Sequence, residues 1–155
     1  MGGPQAFTTV RLAPGDVVQM REANALYARI FDDPVSYATE PPRDVYLEAL
    51  LADANFVQLV AHEESGSVIG ALSGYVLRKF ERERAEIYIY DLAVDVKYRR
   101  QGVATALIGA LQPIAEETGA WMIYVQADPE DAPALGLYDK LGIRENVFHF
   151  DIAVR

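Results

Sequence analysis

Apolar residues recur with two different periods along this chain, and the changes between the periods outline ten elements. Alternating or continuous apolar runs predict six strands, at residues 7–12, 56–62, 68–77, 86–94, 121–126 and 147–153. Runs with helical spacing predict four helices, which begin near Asp16, Arg43, Gly102 and Asp131. The order β-α-α-β-β-β-α-β-α-β predicts an α/β (α+β) fold, with a mixed central sheet of about six to seven strands and helices on both faces.

Local signals refine the helices and the loop between the first two. The first helix ends at Asp32-Asp33-Pro34, and residues 35–42, which show no periodicity, predict a surface loop. Pro113 lies inside the third helical pattern, where it removes one backbone hydrogen bond, so we expect a kink or an early end there. Asp131 predicts an N-cap for the last helix and Gly142 its end. The second helix has a predicted buried stripe of Val45, Leu47, Leu50 and Leu51.

The segment between the fourth strand and the third helix is typical of an anion-binding loop. Arg99, Gly102 and Ala104 occur there in the order Arg-x-x-Gly-x-Ala, directly after an apolar strand and before an amphipathic helix. A helix N-terminus has unpaired N–H groups and the positive end of the helix dipole, and it therefore attracts anions. A Cβ at Gly102 would keep a ligand away from those amides. Taken alone, the motif is more typical of a charged turn before a surface helix.

Composition and charge narrow the function. A chain of 155 residues, 51% of them hydrophobic, is expected to form one domain over residues 1–155. The formal net charge of -9 disfavours nucleic acid as a partner and attracts polycationic small molecules. The absence of cysteine excludes disulfides and an acyl-cysteine intermediate, and two histidines argue against a histidine-rich metal site. No run reaches the ~18 apolar residues of a membrane span and no leader is recognisable, so we expect a cytoplasmic protein without a membrane partner.

Several segments together resemble the GNAT superfamily of acetyl-CoA-dependent N-acetyltransferases. The segment from Leu92 to Thr105 resembles the pantetheine and pyrophosphate loop of that superfamily. The flanking segments are similar to the small aminoglycoside 3-N-acetyltransferases, over residues 71–75, 79–81, 86–94, 124–128, 137–138, 140–145 and 149–152. The loop alone implies the superfamily, and the flanking segments imply the subfamily.

The resemblance implies acetyl-CoA as the donor substrate. The coenzyme-binding residues that it implies lie on the fourth strand, the loop and the last helix: Leu92, Ala93, Val94, Arg99, Arg100, Gln101, Gly102, Val103, Ala104, Thr105, Asp131, Ala134, Leu137 and Tyr138. Many members of the family have an asparagine where this chain has Asp131. An ionised aspartate caps a helix but donates no hydrogen bond, which leaves the coenzyme contact of Asp131 open.

Three groups are expected to carry the transfer. Asp91 is the only carboxylate in the apolar stretch 89–94, and burial with nearby carboxylates should raise its pKa so that it acts as the base, as the resemblance also implies. The family further implies the backbone N–H of Val94 as the oxyanion donor and the Tyr138 hydroxyl as the acid for the departing thiolate. The alternatives are a strand-end aspartate bonded to neighbouring amides and a core tyrosine, because Ala134, Leu137, Tyr138 and Leu141 share one helix face.

The acceptor side is expected to be acidic and aromatic. The carboxylates that could meet near Asp91 are Glu81, Glu83, Asp128, Glu130 and Asp151, each of which is otherwise a solvated surface charge. Glu81, Asp128 and Asp151 are favoured because they lie in the resembling segments. Tyr90, with Tyr88 and Tyr124, offers an aromatic face to a sugar or a cation, or packs as an ordinary strand residue. The expected substrate contacts are therefore Asp91, Glu81, Tyr90, Asp128 and Asp151.

The expected reaction is direct transfer of acetyl from acetyl-CoA to the 3-amino group of gentamicin-like aminoglycosides, which confers resistance. One alternative is the same chemistry on a polyamine or a protein amine. Another is an acyl-CoA-binding module without turnover, although the joint presence of Asp91 and Tyr138 argues against it. A homodimer is the usual habit of the family, and the strand at residues 147–153 could serve it or belong to the core.

Overall fold

The computed structural model describes residues 6–155, and its centre is a sheet of five strands that lie side by side in chain order. The strands are β1 (Phe7–Arg11), β2 (Phe56–Glu63), β3 (Val68–Arg78), β4 (Ala85–Val94) and β5 (Ala120–Val125). The first four are antiparallel neighbours, whereas β5 is parallel to β4. The parallel pair requires a crossover, since antiparallel neighbours alone can be joined by a tight turn.

Five helices and one 3₁₀ turn (Val96–Tyr98) complete the described part of the chain. The helices are α1 (Val17–Ile30), α2 (Pro34–Tyr37), α3 (Asp44–Ala52), α4 (Val103–Thr118) and α5 (Ala132–Leu141). The crossover from β4 to β5 is α4. Within residues 6–155, no helix combines the length and the apolar composition that a membrane crossing needs.

Two buried clusters lie on opposite faces of the sheet. Leu107 and Leu111 of α4 pack on one face against side chains of β2, β3 and β4. On the other face, Leu26 and Tyr27 of α1 and Leu47 of α3 form the second cluster. The mixed α/β fold with helices on both faces is thereby confirmed.

Close backbone approach fixes α4 on its face of the sheet. A Cβ built on Gly70 of β3 would lie 2.7 Å from Cγ1 of Val103, the first residue of α4. Such a separation is too short for two carbon atoms. The absence of a side chain at Gly70 therefore lets the start of α4 lie directly against β3.

The predicted sheet of six to seven strands is too large, because the described sheet has five. Residues 147–153 were expected to form its last strand, but no strand is assigned there, and every residue from 141 to 155 is exposed. The alternation of Phe148, Phe150 and Ile152 with polar residues has the right period for a strand. A strand also needs a neighbour to hydrogen-bond, and this segment has none among residues 6–155.

Two smaller expectations also need correction, and a third is reduced to one of its alternatives. Residues 34–37, expected to lie at a helix end and in a loop, form the short helix α2, which begins at Pro34 and is capped by the Asp33 carboxylate. Val45 of the predicted buried stripe is 65% exposed. Of the two outcomes expected at Pro113, the early helix end does not occur, since α4 continues to Thr118, and the kink stays a prediction. Pro113 and Gly109 both lie on the exposed side of α4, where water can satisfy the carbonyl that the proline leaves unpaired.

Candidate active site

A β-bulge in β4 sets the geometry of the candidate site. Ser73 of β3 lies opposite Asp91, whereas the next residue, Gly74, lies opposite Ile89, so Tyr90 is the extra residue of β4. Ile89 packs in the α4-side cluster and Ala93 in the α1-side cluster, although regular alternation would place them on one face. The bulge therefore turns both Tyr90 and Asp91 toward the α1 face.

Strands β4 and β5 part beyond the bulge. Their pairing ends with Ile89 opposite Val125, but β4 continues along β3 as far as Val94. The N–H of Asp95 donates to the carbonyl of Ile69 at 2.9 Å on the β3 side. Successive N–H groups of an extended chain point in opposite directions, so the Val94 N–H points to the open side. The last residues of β4 thus form one wall of a wedge-shaped cleft.

The Asp91 carboxylate is half-buried and has one hydrogen-bond donor among the described side chains. The Tyr37 hydroxyl of α2 donates to its Oδ2 at 2.6 Å, across 54 residues of sequence. Burial raises the pKa of Asp91, and the bond from Tyr37 opposes that shift. The expected increase is thus present, with burial as its cause rather than nearby carboxylates.

Tyr37 was not identified from the sequence as a site residue. Its ring packs against those of Tyr27 and Phe31, at centroid distances of 5.7 and 5.8 Å. Burial, followed by the hydrogen bond to Asp91, raises the pKa of Tyr37, so the phenol stays protonated at neutral pH. No local sequence signal marks Tyr37, since its contact with Asp91 exists only once α2 packs on the sheet.

A buried polar network lies behind Asp91. The hydroxyls of Tyr27 and Ser73 are 2.8 Å apart, and Ser73 also donates to Oε1 of Gln58. The Gln58 amide in turn donates to the hydroxyl of Tyr27 and to the carbonyls of Leu59 and Leu72. Because Ser73 pairs with Asp91 across the strands, this satisfied network fixes the backbone behind the carboxylate.

The loop after β4 has the backbone of an anion site. Asp95 accepts from the Lys97 N–H at 3.0 Å and from Arg29 of α1 at 2.9 Å, which ties the loop to the body of the protein. Arg100 and Gly102 have left-handed φ angles of 60° and 84°. The N–H groups in the first turn of α4 have no carbonyl partner within the helix, and no side chain caps them. They are therefore free to bind a ligand. Arg99 and Arg100 are exposed beside them.

The predicted cap of α5 is present. The Asp131 carboxylate accepts from the Ala134 N–H at 3.1 Å, and the helix ends before Gly142. Tyr138, Ala134 and Leu137 are each half-buried. Burial and then the charge of Asp131 raise the pKa of Tyr138 to about 12, so its hydroxyl is protonated at neutral pH.

The acidic residues expected near Asp91 are spread over three places. Glu81 lies in the β3–β4 turn, at the opposite end of β4 from Asp91, and pairs with Lys79 and Arg84. Asp128 follows the end of β5 that lies beside Ile89, and with residues 129–131 it lines an open cavity of about 540 Å³. Asp151 is exposed and lies 2.8 Å from His149. Of the three favoured carboxylates, only Asp128 therefore lies at the same edge of the sheet as Asp91 within one chain, and Glu130 lines the same cavity.

A row of aromatic rings crosses the α1 face next to Asp91. Tyr88 stacks on Tyr124 with centroids 4.7 Å apart and interplanar angle 9°, and it meets the edge of Tyr90 at 5.8 Å. Tyr90 meets Tyr75 at 6.0 Å. Tyr90 is 61% exposed, so the row offers both ring surface and hydroxyls to a ligand.

The candidate site thus combines a parting strand pair, a bulged β4 and an uncapped helix after it. The sequence profile of the Acetyltransferase (GNAT) family matches residues 21–143. The chain belongs to this family, which confirms the resemblance inferred from the sequence.

Solved structures of aminoglycoside acetyltransferases are similar to this chain. HMB0005, from an uncultured soil metagenomic sample, is 45% identical with a TM-score of 0.94, and the match covers 97% of this chain and 99% of that one. The meta-AAC0020 enzyme, also from an uncultured soil metagenomic sample, is 32% identical with a TM-score of 0.88, over 96% of this chain and 97% of that one; it has been solved in complex with sisomicin.

Curated relatives match over shorter stretches. The glucosamine 6-phosphate N-acetyltransferase of Trypanosoma brucei brucei is 32% identical over 88 residues, which cover 56% of this chain and 58% of that protein. The chain spans about half the length of the curated relatives that it matches.

Proposed function

We propose that this chain, as a single domain, transfers acetyl from acetyl-CoA to the 3-amino group of an aminoglycoside. The observation that carries the proposal is the bulge at Tyr90, which directs the half-buried Asp91 carboxylate toward the α1 face at the mouth of the cleft. The 45% identity to an aminoglycoside acetyltransferase supports the acceptor class. The choice of the 3-amino group rests on the resemblance of the segments around β4 and α5 to the small aminoglycoside 3-N-acetyltransferases.

The coenzyme would lie in the cleft between β4 and β5. Leu92 to Val94 of β4 would pair with its pantetheine arm, as the open side of β4 permits. The pyrophosphate would lie at the start of α4, where the left-handed backbone at Arg100 and Gly102 and the missing side-chain cap leave amides available. Arg99 and Arg100 add positive charge there. On α5, Asp131, Ala134, Leu137 and Tyr138 would line the side toward the thioester.

The chemistry would follow from three groups. The Asp91 carboxylate takes a proton from the acceptor ammonium, directly or through one water, and the free amine attacks the thioester carbonyl. The Val94 N–H donates to the oxyanion that develops, an interaction typically worth ~3 kcal/mol of barrier. When the carbon–sulfur bond breaks, the Tyr138 hydroxyl gives its proton to the thiolate. Its raised pKa keeps the hydroxyl protonated at neutral pH, so it can donate to the departing sulfur, and the second proton that the nitrogen loses on becoming an amide restores the tyrosine.

The acceptor would be held on the α1 face by charge and by aromatic surface. Asp128 would bind a second ammonium of a polycationic sugar, and its position at the same edge of the sheet as Asp91 supports this. Tyr90 and the neighbouring rings offer flat surface to the apolar faces of a sugar or to an ammonium. Glu81 and Asp151 remain proposed contacts, but they require an acceptor long enough to reach the β3–β4 turn or a different position of residue 151.

An amine panel tests this function. The purified chain would be given acetyl-CoA with sisomicin, gentamicin, spermidine or an N-terminal peptide, with release of coenzyme thiol as the signal. We expect kcat/KM to be highest for the aminoglycosides, and NMR of the product to show acetyl on the 3-amino group. A higher kcat/KM for spermidine or the peptide would contradict the acceptor class, and acetyl on another amine would contradict the position alone.

A further inference from the structure

A hydrogen bond between distant parts of the chain fixes residues 95–102, which we name the β4–α4 loop. The Tyr98 hydroxyl, in the 3₁₀ turn of this loop, donates to Oε2 of Glu63 at 2.7 Å, across 35 residues of sequence. Glu63 is the last residue of β2, and its Oε1 accepts from the Ser65 hydroxyl at 2.9 Å. Both oxygens of this half-buried carboxylate are therefore engaged, and one of them fixes the loop.

The ring of Tyr98 holds the same turn. It is half-buried and packs against the cluster on the α4 face of the sheet. The hydrogen bond to Glu63 raises the pKa of Tyr98, so the phenol remains a donor at neutral pH. The N–H of Tyr98 donates to the carbonyl of Asp95 at 2.9 Å and closes the turn. Ring, hydroxyl and backbone of Tyr98 are thus all restrained.

A second carboxylate holds the start of the loop from the α1 side. Asp95 accepts from the Lys97 N–H within the loop and from Arg29 of α1. The Arg29 side chain is 57% exposed, and exposed ion pairs contribute little. The half-buried bond from Tyr98 to Glu63 therefore provides more of the restraint than the pair of Arg29 and Asp95.

The backbone that follows Tyr98 needs such a restraint. Arg100 has a left-handed φ angle of 60°, which is unfavourable for a residue with a Cβ. The Gln101 side chain donates back to the Lys97 carbonyl at 3.0 Å, so the strained residue lies within a closed loop. Strained backbone persists only where the surrounding structure holds it, and it occurs often at ligand sites. In this chain it leads directly to the uncapped start of α4.

We propose that Tyr98 and Glu63 are positioning residues for the donor, because their hydrogen bond holds the amides at the start of α4 ready for the pyrophosphate of the coenzyme. A loop already held in its binding conformation loses less entropy when the ligand arrives. The charge of a carboxylate beside an anion-binding loop opposes anion binding, so the position of Glu63 is costly unless it holds the loop. The inference rests on the proposed donor and does not depend on which amine is the acceptor.

Calorimetry with coenzyme A gives the first test. We expect Tyr98→Phe to raise the Kd ~3- to 10-fold, because the loss of one hydrogen bond to a charged group frees the loop. Tyr46→Phe is the matched control, since it removes the same hydroxyl from a tyrosine of α3 that is 59% exposed, and its Kd should not change. An unchanged Kd for Tyr98→Phe would overturn the proposal. A wild-type chain that binds no coenzyme A would overturn the proposed donor together with this inference.

A truncated donor separates positioning from a general loss of stability. S-acetylpantetheine has the thioester and the pantetheine arm of acetyl-CoA but no pyrophosphate. With the amine that gives the highest rate in the panel, Tyr98→Phe should lower kcat/KM for acetyl-CoA ~3- to 10-fold and leave kcat/KM for S-acetylpantetheine unchanged. Equal losses for the two donors would mean that Tyr98 only stabilises the fold, and they would overturn the proposal.

Variants of Glu63 test whether the two residues act through one contact. Glu63→Leu removes the acceptor oxygen and should weaken coenzyme A binding as much as Tyr98→Phe does. The double variant should lose no more affinity than either single variant, since both remove the same hydrogen bond. Glu63→Gln keeps an acceptor for the Tyr98 hydroxyl and should retain most of the affinity. Additive losses in the double variant would show that the residues act separately and would overturn the proposal.

Discussion

At the scale of single residues, the Asp91 carboxyl is under two opposing influences. Burial raises its pKa, which favours a proton acceptor that works near neutrality, while the hydrogen bond from Tyr37 lowers it again. A base with a raised pKa binds its proton more readily, yet it must be ionised before it can act. If Asp91 is the base, as we propose, the balance between burial and the Tyr37 bond sets the pH at which acetyl transfer begins.

The Tyr37→Phe variant tests this balance. Loss of the hydroxyl removes the bond that favours the carboxylate, so the pKa of Asp91 should rise further. We expect the acid limb of kcat/KM for the acceptor to move to higher pH. At pH 7 the loss should be ~10-fold, as for one hydrogen bond to a charged group. Rates measured from pH 5 to 9 give the profile, and an acid limb that stays in place would show that Tyr37 does not act through Asp91.

Sequence reasoning selected Asp91 as a candidate site residue but not Tyr37, for a physical reason. Asp91 stands out locally as a carboxylate in an apolar strand, a placement that is costly without a function. Tyr37 touches Asp91 across 54 residues of sequence, and its position depends on ring packing with Tyr27 and Phe31. Such a contact is a property of the packed fold and leaves no periodic signal in the chain.

At the scale of elements, the connection from β4 to α4 forms the coenzyme-binding side of the site that we propose. Gly102 has a φ angle of +84°, and a Cβ built there meets nothing within 4 Å. The space for a side chain is therefore open, and a substitution acts through backbone strain and through the access of a ligand to the amides. The same substitution at a second left-handed glycine, outside this loop, can separate backbone strain from ligand access.

Gly102→Ala and Gly66→Ala form a matched pair. Gly66, in the β2–β3 turn, has a φ angle of +91° and equally free space around it. Both variants should lose ~1 kcal/mol of unfolding free energy from the left-handed backbone, measured by denaturant titration. Only Gly102→Ala should weaken acetyl-CoA binding, by about 10-fold or more in calorimetry, since it crowds the start of α4. Equal coenzyme affinity in the two variants would remove this loop as the pyrophosphate site.

Most elements were predictable because their signals are local. The strands of the antiparallel hairpins and the faces of α1 and α4 follow from apolar periodicity, and α5 follows from its cap. The helix α2 was missed because four residues are too few for a period, although its Asp33-Pro34 start is a cap signal. The strand expected at residues 147–153 is the reverse case, because its alternating pattern is present but the strand is not. Alternation alone does not provide the neighbouring strand that a β-strand must hydrogen-bond.

At the scale of the whole molecule, the formal net charge of -9 would attract the cationic acceptor that we propose. Long-range attraction of this kind raises the rate of encounter and weakens as salt screens it. Within the site, Asp91 and Asp128 lie at the same edge of the sheet, so the local and the overall charge act in the same direction.

Salt dependence tests this steering. Between about 20 and 200 mM NaCl, where the Debye length falls from ~20 to ~7 Å, kcat/KM for sisomicin should fall about 3-fold or more. A monoamine acceptor such as glucosamine is the control, and its kcat/KM should change much less. Stopped-flow measurement of thiol release at each salt concentration gives both values. Equal slopes for the two acceptors would mean that global charge plays no part in acceptor capture.

The most direct measurement of the central claim is single-turnover acetyl transfer by the Asp91→Asn variant. We expect the transfer rate to sisomicin to fall by ~10²- to 10⁴-fold, the contribution of a positioned general base. Acetyl-CoA affinity should stay within about 2-fold, because Asp91 lies outside the pyrophosphate loop.

Burial raises the folded-state pKa of Asp91, so its stabilising contribution is greatest below the unfolded-state pKa and is lost as pH rises through the folded-state pKa. At neutral pH the asparagine should therefore not lower Tm. Glu116→Gln, an exposed carboxylate on α4, should behave as wild type. A transfer rate for Asp91→Asn close to that of wild type would contradict the assignment of Asp91 as the base.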